Sequence, residues 1–193
     1  AAEGRGRESE GETVVAGFIE GESHLSAVAY QLLVGNLRPS PRGPCNCGED
    51  VVRELKGFLE THSLRPGQWL MGMGYDNSVF PEGAHPTKED LDRVSTEIPV
   101  AAAHISGHLC VVNTKGMELL GYTGEHFKVP QGGVVEPAGL LKEQAFLGKN
   151  GEMQGPAPEE VVKAVGDASK LYASYGLPTV HDGKVPVGQY QLV

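Results

Sequence analysis

The sequence predicts an α/β protein with parallel strands, and three segments carry this prediction. Residues 13–19 (TVVAGFI) form a short apolar run rich in β-branched residues, which indicates a buried strand. Residues 158–175 show an apolar stripe at helical spacing, with Gly176 directly after it, and residues 177–180 indicate a second buried strand. A strand, a long insertion, a helix and a second strand form the opening of a parallel α/β unit.

The region between the two strands contains its own predicted elements. In chain order these are helices over residues 25–37 and 49–61, a strand over 68–75, a short helix after Thr87, strands over 99–105 and 109–112, and a helix over 114–120. Thr87 and Asp90 mark the short helix, because they are spaced as the two partners of a capping box. This mixture of elements predicts an α+β lobe.

The apolar residues of this lobe have no place in a unit of two strands, so we expect them to form a separate small core. That core is predicted to include Leu55, Trp69, Met71, Met73, Val100 and Val111. The chain then divides into residues 1–24 with the first strand, an inserted α+β lobe over 25–150, and residues 151–193 with the helix and second strand. A closed (β/α) barrel usually takes about 250 residues. The 193 residues therefore predict a partial TIM-type barrel, limited to its first two strand–helix units.

Net charge, apolar runs and cysteines indicate which binding partners and which cellular compartment to expect. The formal net charge is −9 and no run of Lys and Arg occurs, which argues against a nucleic-acid partner. No stretch reaches the roughly 20 apolar residues needed to span a bilayer, and the polar start of the chain has no signal-peptide core. The cysteine count is 3, Cys45 and Cys47 are too close together for an ordinary disulfide, and Cys110 lies in an apolar run, so we expect a reducing compartment. We therefore expect a soluble protein of the cytoplasm or an organelle interior, with no readable targeting signal and no membrane span.

Polar residues follow both predicted strands, at the end where active sites gather in parallel α/β proteins. Glu22 and His24 follow the first strand, and His181 and Asp182 follow the second. Residues two apart on an extended backbone point to the same side, so Glu22 and His24 are able to bind one divalent ion through an oxygen and an imidazole. A carboxylate and a histidine at this spacing also occur by chance, and the spacing alone leaves both interpretations open.

Several short segments along the chain have the form of known sequence motifs. Residues 16–24 (AGFIEGESH) are similar to the signature Pro-Gly-Phe-Ile-Asp-x-His-x-His. Further segments with matching motifs follow in order: 72–76 (GMGYD), 86–92 (PTKEDLD), 99–100 (PV), 106–113 (SGHLCVVN), 139–143 (GLLKE) and 172–183 (YASYGLPTVHDG). In this order, and over most of the chain, they resemble the amidohydrolase superfamily, in particular its YtcJ-like (amidohydrolase 3) branch, whose first strand carries the signature matched by residues 16–24.

The resemblance implies a metal-dependent hydrolase that cleaves an amide-type C–N bond in a small molecule. The complete family enzyme is a barrel holding one or two divalent metal ions, often zinc. Its ligands are two first-strand histidines, a carboxylated lysine, two later histidines and an aspartate. The metal lowers the pKa of bound water, and the hydroxide so formed attacks the carbonyl.

This chain departs from the family pattern at the metal site. Glu22 stands where the family has its first histidine, so only His24 matches a family ligand. The lysine, the later histidines and the aspartate are expected beyond Val193. We therefore assign no catalytic residue within this chain and name His24 and Glu22 as candidate metal ligands. The chain alone is expected to bind no zinc and to be inactive.

The matched segments also supply candidates for lining a substrate site. These are Tyr75, Asp76, His108, Asn113, Glu143, His181 and Asp182. Alternative roles remain open, because Asp76 is typical of a turn or cap, His108 of a hydrogen-bonded loop residue, and Glu143 of a solvated carboxylate.

Two functions follow from these features. The first is an amidohydrolase in which the rest of the barrel comes from sequence outside this chain. The second is a non-catalytic, degenerate amidohydrolase fragment that serves as a structural subunit, with a protein partner covering the open barrel edge. In the catalytic case Glu22 and His24 should converge on one ion, whereas in the structural case the Glu22 carboxylate should have a basic side chain or backbone N–H as its partner. A truncated product without a role is a third alternative that the sequence leaves open.

Overall fold

The computed structural model describes Gly11, Thr13 and residues 15–183. The polar start of the chain and Val14 of the predicted first strand lie outside the described residues. The strands are β1 (Ile19–Ser23), β2 (Gly35–Asn36), β3 (Leu70–Tyr75), β4 (Val100–His104), β5 (Leu109–Val112), β6 (Gly133–Val135), β7 (Leu140–Glu143) and β8 (Thr179–Asp182). The α-helices are α1 (Leu25–Gln31), α2 (Gly48–Thr61), α3 (Lys88–Asp92), α4 (Thr114–Leu119), α5 (Gln144–Leu147) and α6 (Pro158–Ser174). Short 3₁₀ helices span Asn77–Val79 and Pro81–Gly83.

The strands belong to two sheets. β1 and β8 pair in parallel, and the other six strands form a mixed sheet in the order β2-β3-β4-β5-β7-β6. β2, β3 and β4 run parallel to one another, whereas the pairs β4–β5, β5–β7 and β6–β7 are antiparallel. The fold is therefore mixed α/β, and no closed barrel forms within the part of the chain that the structure describes.

Both strands of the two-stranded sheet lie further along the chain than the sequence predicted. The predicted strands over 13–19 and 177–180 are replaced by β1 and β8, each displaced towards the C-terminus. Backbone pairing between the two strands sets these limits, and the apolar pattern does not encode it. The prediction of a buried first strand is also wrong, because Phe18 and Ile19 are 66% and 76% exposed.

The predicted helix over residues 25–37 ends early, because the chain turns into the large sheet. α1 stops at Gln31, and Gly35 then pairs with Gly72 of β3. A Cβ on Gly72 would come within 2.6 Å of Leu37 Cδ1. The close approach of β2 to β3 therefore depends on glycine, and tertiary pairing overrides the helical pattern.

The helices α2, α3, α4 and α6 form close to their predicted positions. The capping box of α3 is confirmed, since Asp90 N donates to Thr87 Oγ1 at 3.2 Å and Thr87 N donates to Asp90 Oδ2 at 2.8 Å. The sequence missed β6, β7 and α5, which are each only 3 or 4 residues long. Elements of this length carry too few residues to show a period.

The six-stranded sheet has an apolar core on each face. Leu55, Val100 and Val111 pack together on one face with Leu70. Trp69 belongs to the core on the opposite face, which corrects the prediction of a single core. The reason is the alternation of side chains along an extended backbone, which sends Trp69 and Leu70 to opposite sides.

α1 and α6 pack against each other through small side chains. Ala29, Ala164 and Ala168 are buried at their contact, and small residues allow the two helix backbones to approach closely. Among the helices that the structure describes, none combines the length and apolar character needed to cross a membrane.

Candidate functional site

The first candidate site lies at the C-terminal edge of the two-stranded sheet. Parallel pairing places Ser23 opposite Asp182, so the last residues of β1 and β8 share one edge. Gly183 N donates to Ser23 O at 2.8 Å, which extends the pairing one residue beyond β8. A Cβ on Gly183 would lie 3.7 Å from His24 Cε1, so the His24 ring belongs to the same edge.

His181 and Asp182 hold this edge together. His181 Nδ1 donates to Gly21 O at 3.0 Å, across the sheet to β1. Asp182 Oδ2 accepts from Ser26 N at 2.7 Å, where the first turn of α1 has N–H groups without helical partners. Both residues belong to β8 itself, whereas the sequence placed them after the strand. Their side chains therefore fix the relative positions of β1, β8 and α1.

Glu22 and His24 do not make a metal centre with the residues described. Both are exposed, and the part of the chain in the structure contains no group of three or more His, Cys, Asp or Glu side chains able to hold a metal ion. Because a catalytic zinc takes three protein ligands, these residues alone do not fit one.

The Glu22 carboxylate also lacks the partner expected for a structural role. Within residues 15–183 it has no ion pair and accepts no hydrogen bond. The expectation of a basic or N–H partner assumed a buried carboxylate. Glu22 is exposed, and water solvates its charge, so no protein partner is required.

A second polar cluster, which the sequence did not predict, lies at the C-terminal ends of β3 and β4. Tyr75 lies beside His104 in the sheet, and their ring centroids are 5.0 Å apart. The Tyr75 hydroxyl is 3.0 Å from His85 Nδ1, and the two imidazole centroids are 6.1 Å apart. Burial raises the pKa of Tyr75, so the hydroxyl stays protonated and shares a hydrogen bond with His85 Nδ1. Tyr75 is the one member of this cluster that the sequence named as a candidate for a substrate site.

The hydrogen bonds of His104 determine its tautomer. Ser106 N donates to His104 Nδ1 at 3.1 Å, so the ring hydrogen is on Nε2. This Nε2 is buried and has no hydrogen-bond partner among the described residues. Burial lowers the pKa of His104, although Asp76 opposes that shift. Burial, followed by the charges of His104 and Lys142, lowers the pKa of His85, so both rings are neutral near pH 7.

The substitution His104→Phe is expected to reduce the acid sensitivity of the fold. His85 and His104 have folded-state pKa values below the unfolded value of about 6.5, so the unfolded chain binds protons first as the pH falls. Their contribution to stability is therefore complete above about pH 6.5 and is lost as the pH falls towards the folded-state pKa values. Urea unfolding at about pH 7.5 and about pH 5 should show a smaller loss for His104→Phe than for the wild type. His126→Phe, at an exposed position, serves as control, and equal losses for all three proteins would contradict the prediction.

Asp76 acts as a cap. Its Oδ1 accepts from Ser78 N at 2.9 Å and from Ser78 Oγ at 2.6 Å, at the start of the 3₁₀ helix Asn77–Val79. These hydrogen bonds hold the pKa of Asp76 below its usual range. Of the two interpretations that the sequence left open, the contacts favour the capping role.

His108 and Glu143 form a pair at the ends of β5 and β7. His108 Nδ1 is 2.9 Å from Glu143 Oε2, and the two side chains are 58% and 52% exposed. Such an exposed pair contributes little stability. Glu143 nevertheless has a φ of 49° and a ψ of −122°, a strained conformation for a residue with a side chain. The surrounding fold, and not this exposed pair, therefore holds Glu143 in its strained conformation. The contacts of His108 and Glu143 are compatible both with ordering of a loop and with contact to a substrate.

Asn113 belongs to the interior rather than to the lining of a substrate site. It is fully buried, and its side chain makes four hydrogen bonds to backbone groups. Four is the full capacity of a carboxamide with two donors and two acceptor lone pairs. Asn113 therefore joins α4 to the segment before β4.

Comparison with known proteins shows one consistent relationship. A sequence profile described as "Amidohydrolase family" matches residues 8–192. The N-substituted formamide deformylase of Arthrobacter pascens is 31% identical over 143 residues, which cover 70% of this chain and 25% of that protein. The putative amidohydrolase YtcJ of Bacillus subtilis (strain 168) is 33% identical over 141 residues, with coverage of 70% and 25%. The exoenzymes regulatory protein AepA of Pectobacterium carotovorum subsp. carotovorum is 25% identical over 188 residues, with coverage of 90% and 38%.

Two solved structures have folds similar to that of this chain. An uncharacterized metal-dependent hydrolase from Pyrococcus horikoshii OT3 superposes with a TM-score of 0.58 at 21% identity, covering 86% of this chain and 30% of that one. Its counterpart from Pyrococcus furiosus gives a TM-score of 0.53 at 21% identity, with coverage of 86% and 31%. The chain spans only 25% to 38% of the length of the three sequence relatives. Within that length, the family profile and the 33% and 31% identities show that this chain belongs to the amidohydrolase family.

Proposed function

We propose that this chain contributes the C-terminal edge of β1 and β8 to an active site that hydrolyses an amide-type C–N bond in a small molecule. The observation that carries the proposal is the parallel pairing of β1 and β8, whose shared C-terminal edge includes Glu22, His24 and Asp182. Substrates of parallel α/β proteins bind at this edge. The relative named N-substituted formamide deformylase supports an amide-type substrate.

The proposal includes a divalent metal ion, with zinc as the candidate. The name "metal-dependent hydrolase" of the two structural relatives supports a metal. His24 and Glu22 are the donors that this chain would contribute, through an imidazole nitrogen and a carboxylate oxygen. The described residues lack the other donors, so the remaining ligands and the chemical step belong to the rest of the barrel.

We further propose that β1 and β8 are the first two strands of a TIM-type barrel and that residues 25–150 form a lobe inserted between them. The lobe carries three of the candidates for substrate contact, Tyr75, His108 and Glu143. Asn113 and Asp76 support the lobe instead, because their polar atoms are used within it. His181 and Asp182 position the strand edge through Gly21 and Ser26.

A structural role is the second candidate function. It is favoured by Glu22, which replaces a histidine of the family pattern, and by apolar side chains beside the two-stranded sheet. Phe18, Ile19 and Tyr175 are 66%, 76% and 74% exposed. An open sheet edge with exposed apolar residues is a surface that a protein partner would cover.

Analysis of the protein in its native assembly separates the two functions. Intact mass would show which polypeptides are present, elemental analysis would give the metal content, and release of amine from simple amides and N-substituted formamides would measure hydrolysis. We expect metal and hydrolysis together, with both removed by a chelator. An assembly that contains the rest of the barrel and a metal ion but releases no amine would support the structural role.

The isolated 193-residue chain is expected to bind no stoichiometric zinc. Two exposed donors are fewer than the three that a catalytic zinc site takes. Elemental analysis after dialysis is the measurement, with a mutant lacking both Glu22 and His24 as the control for adventitious metal. About one equivalent of zinc in the native sequence, absent from that control, would contradict the expectation.

A further inference from the structure

A cavity of about 290 Å³ lies between α1 and the large sheet, on the face that also carries Trp69. Its walls come from Tyr30 of α1, Met71 and Met73 of β3, Ala103 of β4, and Phe146 and Met153. None of the side chains that line it carries a charge. A charged ligand would lose its hydration there without gaining an opposite charge, so the walls suit a neutral ligand.

The walls are unusually rich in methionine. Three of the four methionines of the chain line this one cavity. Met71 and Met73 are only partly buried, whereas the sequence predicted them in the core. Methionine side chains adapt their shape and make favourable contacts between sulfur and aromatic rings. These walls therefore favour an aromatic ring over an aliphatic group of the same size.

Two polar side chains line the cavity, those of Tyr30 and Asn150, and Tyr30 is the one that lies beside the methionines. Burial raises the pKa of Tyr30, so its hydroxyl is protonated and able to donate. Among the described residues its one hydrogen bond goes to Met71 Sδ at 3.7 Å. A thioether is a weak acceptor, so an oxygen atom of a ligand would be a better partner. The hydroxyl therefore selects a ligand with a hydrogen-bond acceptor.

The volume limits the size of the ligand. An apolar cavity of about 150 Å³ is enough to hold benzene, so about 290 Å³ holds one ring with a short substituent. We propose that this cavity binds a single neutral aromatic ring bearing a carbonyl group, with the ring against the methionines and the carbonyl oxygen accepting from Tyr30. The cavity shares no lining residue with the strand edge that includes Glu22, His24 and Asp182, so the proposed binding does not rest on the proposed hydrolysis.

Benzamide is a suitable probe, since it joins one ring to one carboxamide. The chain would be labelled on the methionine methyl groups and titrated with benzamide by NMR. We expect saturable shifts of the Met71, Met73 and Met153 signals. Met117 serves as an internal control because it lines a different cavity, and its signal should not move.

Two variants test the contacts. Tyr30→Phe keeps the ring but removes the donor, and should weaken benzamide binding about fivefold, the usual effect of one hydrogen bond. Tyr175→Phe makes the same change at a residue that is 74% exposed and should bind as the wild type does. Met73→Leu keeps the volume and should reduce the preference for benzamide over cyclohexanecarboxamide. Circular dichroism would confirm that each variant is folded.

Several results would overturn the proposal. These are the absence of saturable shifts, equal shifts of Met117, equal affinity of Tyr30→Phe and wild type, or equal affinity for the two carboxamides. Shifts of the cavity methionines that appear on raising the protein concentration without benzamide would show that a second copy of the chain fills the cavity. That result would also overturn it.

Discussion

The substitution Asn113→Ala is expected to lower the free energy of unfolding by about 3–5 kcal/mol. Asn113 Oδ1 accepts from Val100 N at 3.0 Å and from Gly116 N at 2.8 Å. Its Nδ2 donates to Ser95 O at 2.7 Å and to Ile98 O at 3.0 Å. Because the site is fully buried, alanine would leave buried backbone groups without partners, and each such group costs about 1–3 kcal/mol.

Urea unfolding followed by circular dichroism would measure this loss. Asn150→Ala is the matched control, because Asn150 is exposed and such surface changes usually stay within about 0.5 kcal/mol. A loss for Asn113→Ala as small as that of the control would contradict the assignment of Asn113 to the scaffold. It would return this residue to the candidates for substrate contact.

In the native assembly, His24→Ala is expected to lower the rate of amide hydrolysis by at least about a hundredfold. Removal of a residue that only supports a metal ligand typically costs about 10-fold to 100-fold in metal affinity or activity, and a ligand should cost more. The measurement is amine release at saturating metal, together with the metal content of the protein. His126→Ala replaces an exposed histidine of the lobe and should leave both values unchanged.

The substitution Glu22→His tests the same strand edge by introducing an imidazole, whereas His24→Ala removes one. If the assembly is catalytic, restoring an imidazole at the strand end should change both metal affinity and turnover, because it replaces a charged oxygen donor with a neutral nitrogen donor. If the role is structural, activity stays at zero in both proteins. An isolated chain that gained activity from this one substitution would contradict both functions, since the described residues lack the other ligands.

The two polar clusters differ in how far the sequence alone identified their residues. Glu22 and His24 were identified from their place after an apolar run and from the family signature around them. His85 was not, because it lies in a loop between Gly83 and Thr87 with no periodic pattern, and only its contact with Tyr75 brings it to the sheet. A residue of this kind is recognised through a partner that is close in space, not in sequence.

Local patterns in the sequence determined much of this protein. The helical stripe of α6, the amphipathic pattern of α2 and the Thr87–Asp90 capping box each depend on residues within a few positions of one another. The order of the family segments likewise required no coordinates, and it led to His24 and Glu22. These features were predictable because the interactions behind them are short in sequence.

Only the tertiary structure decided the features that depend on distant partners. The limits of β1 come from its pairing with β8, some 160 residues away. Strand alternation sends Trp69 and Leu70 to opposite faces, but only the tertiary structure shows that both faces are covered and carry a core. The cavity beside Tyr30 arises because α1 stops at Gln31 and leaves Met71 and Met73 incompletely covered. Burial, pairing and cavity volume are properties of surfaces in contact, and a one-dimensional pattern does not specify which surfaces meet.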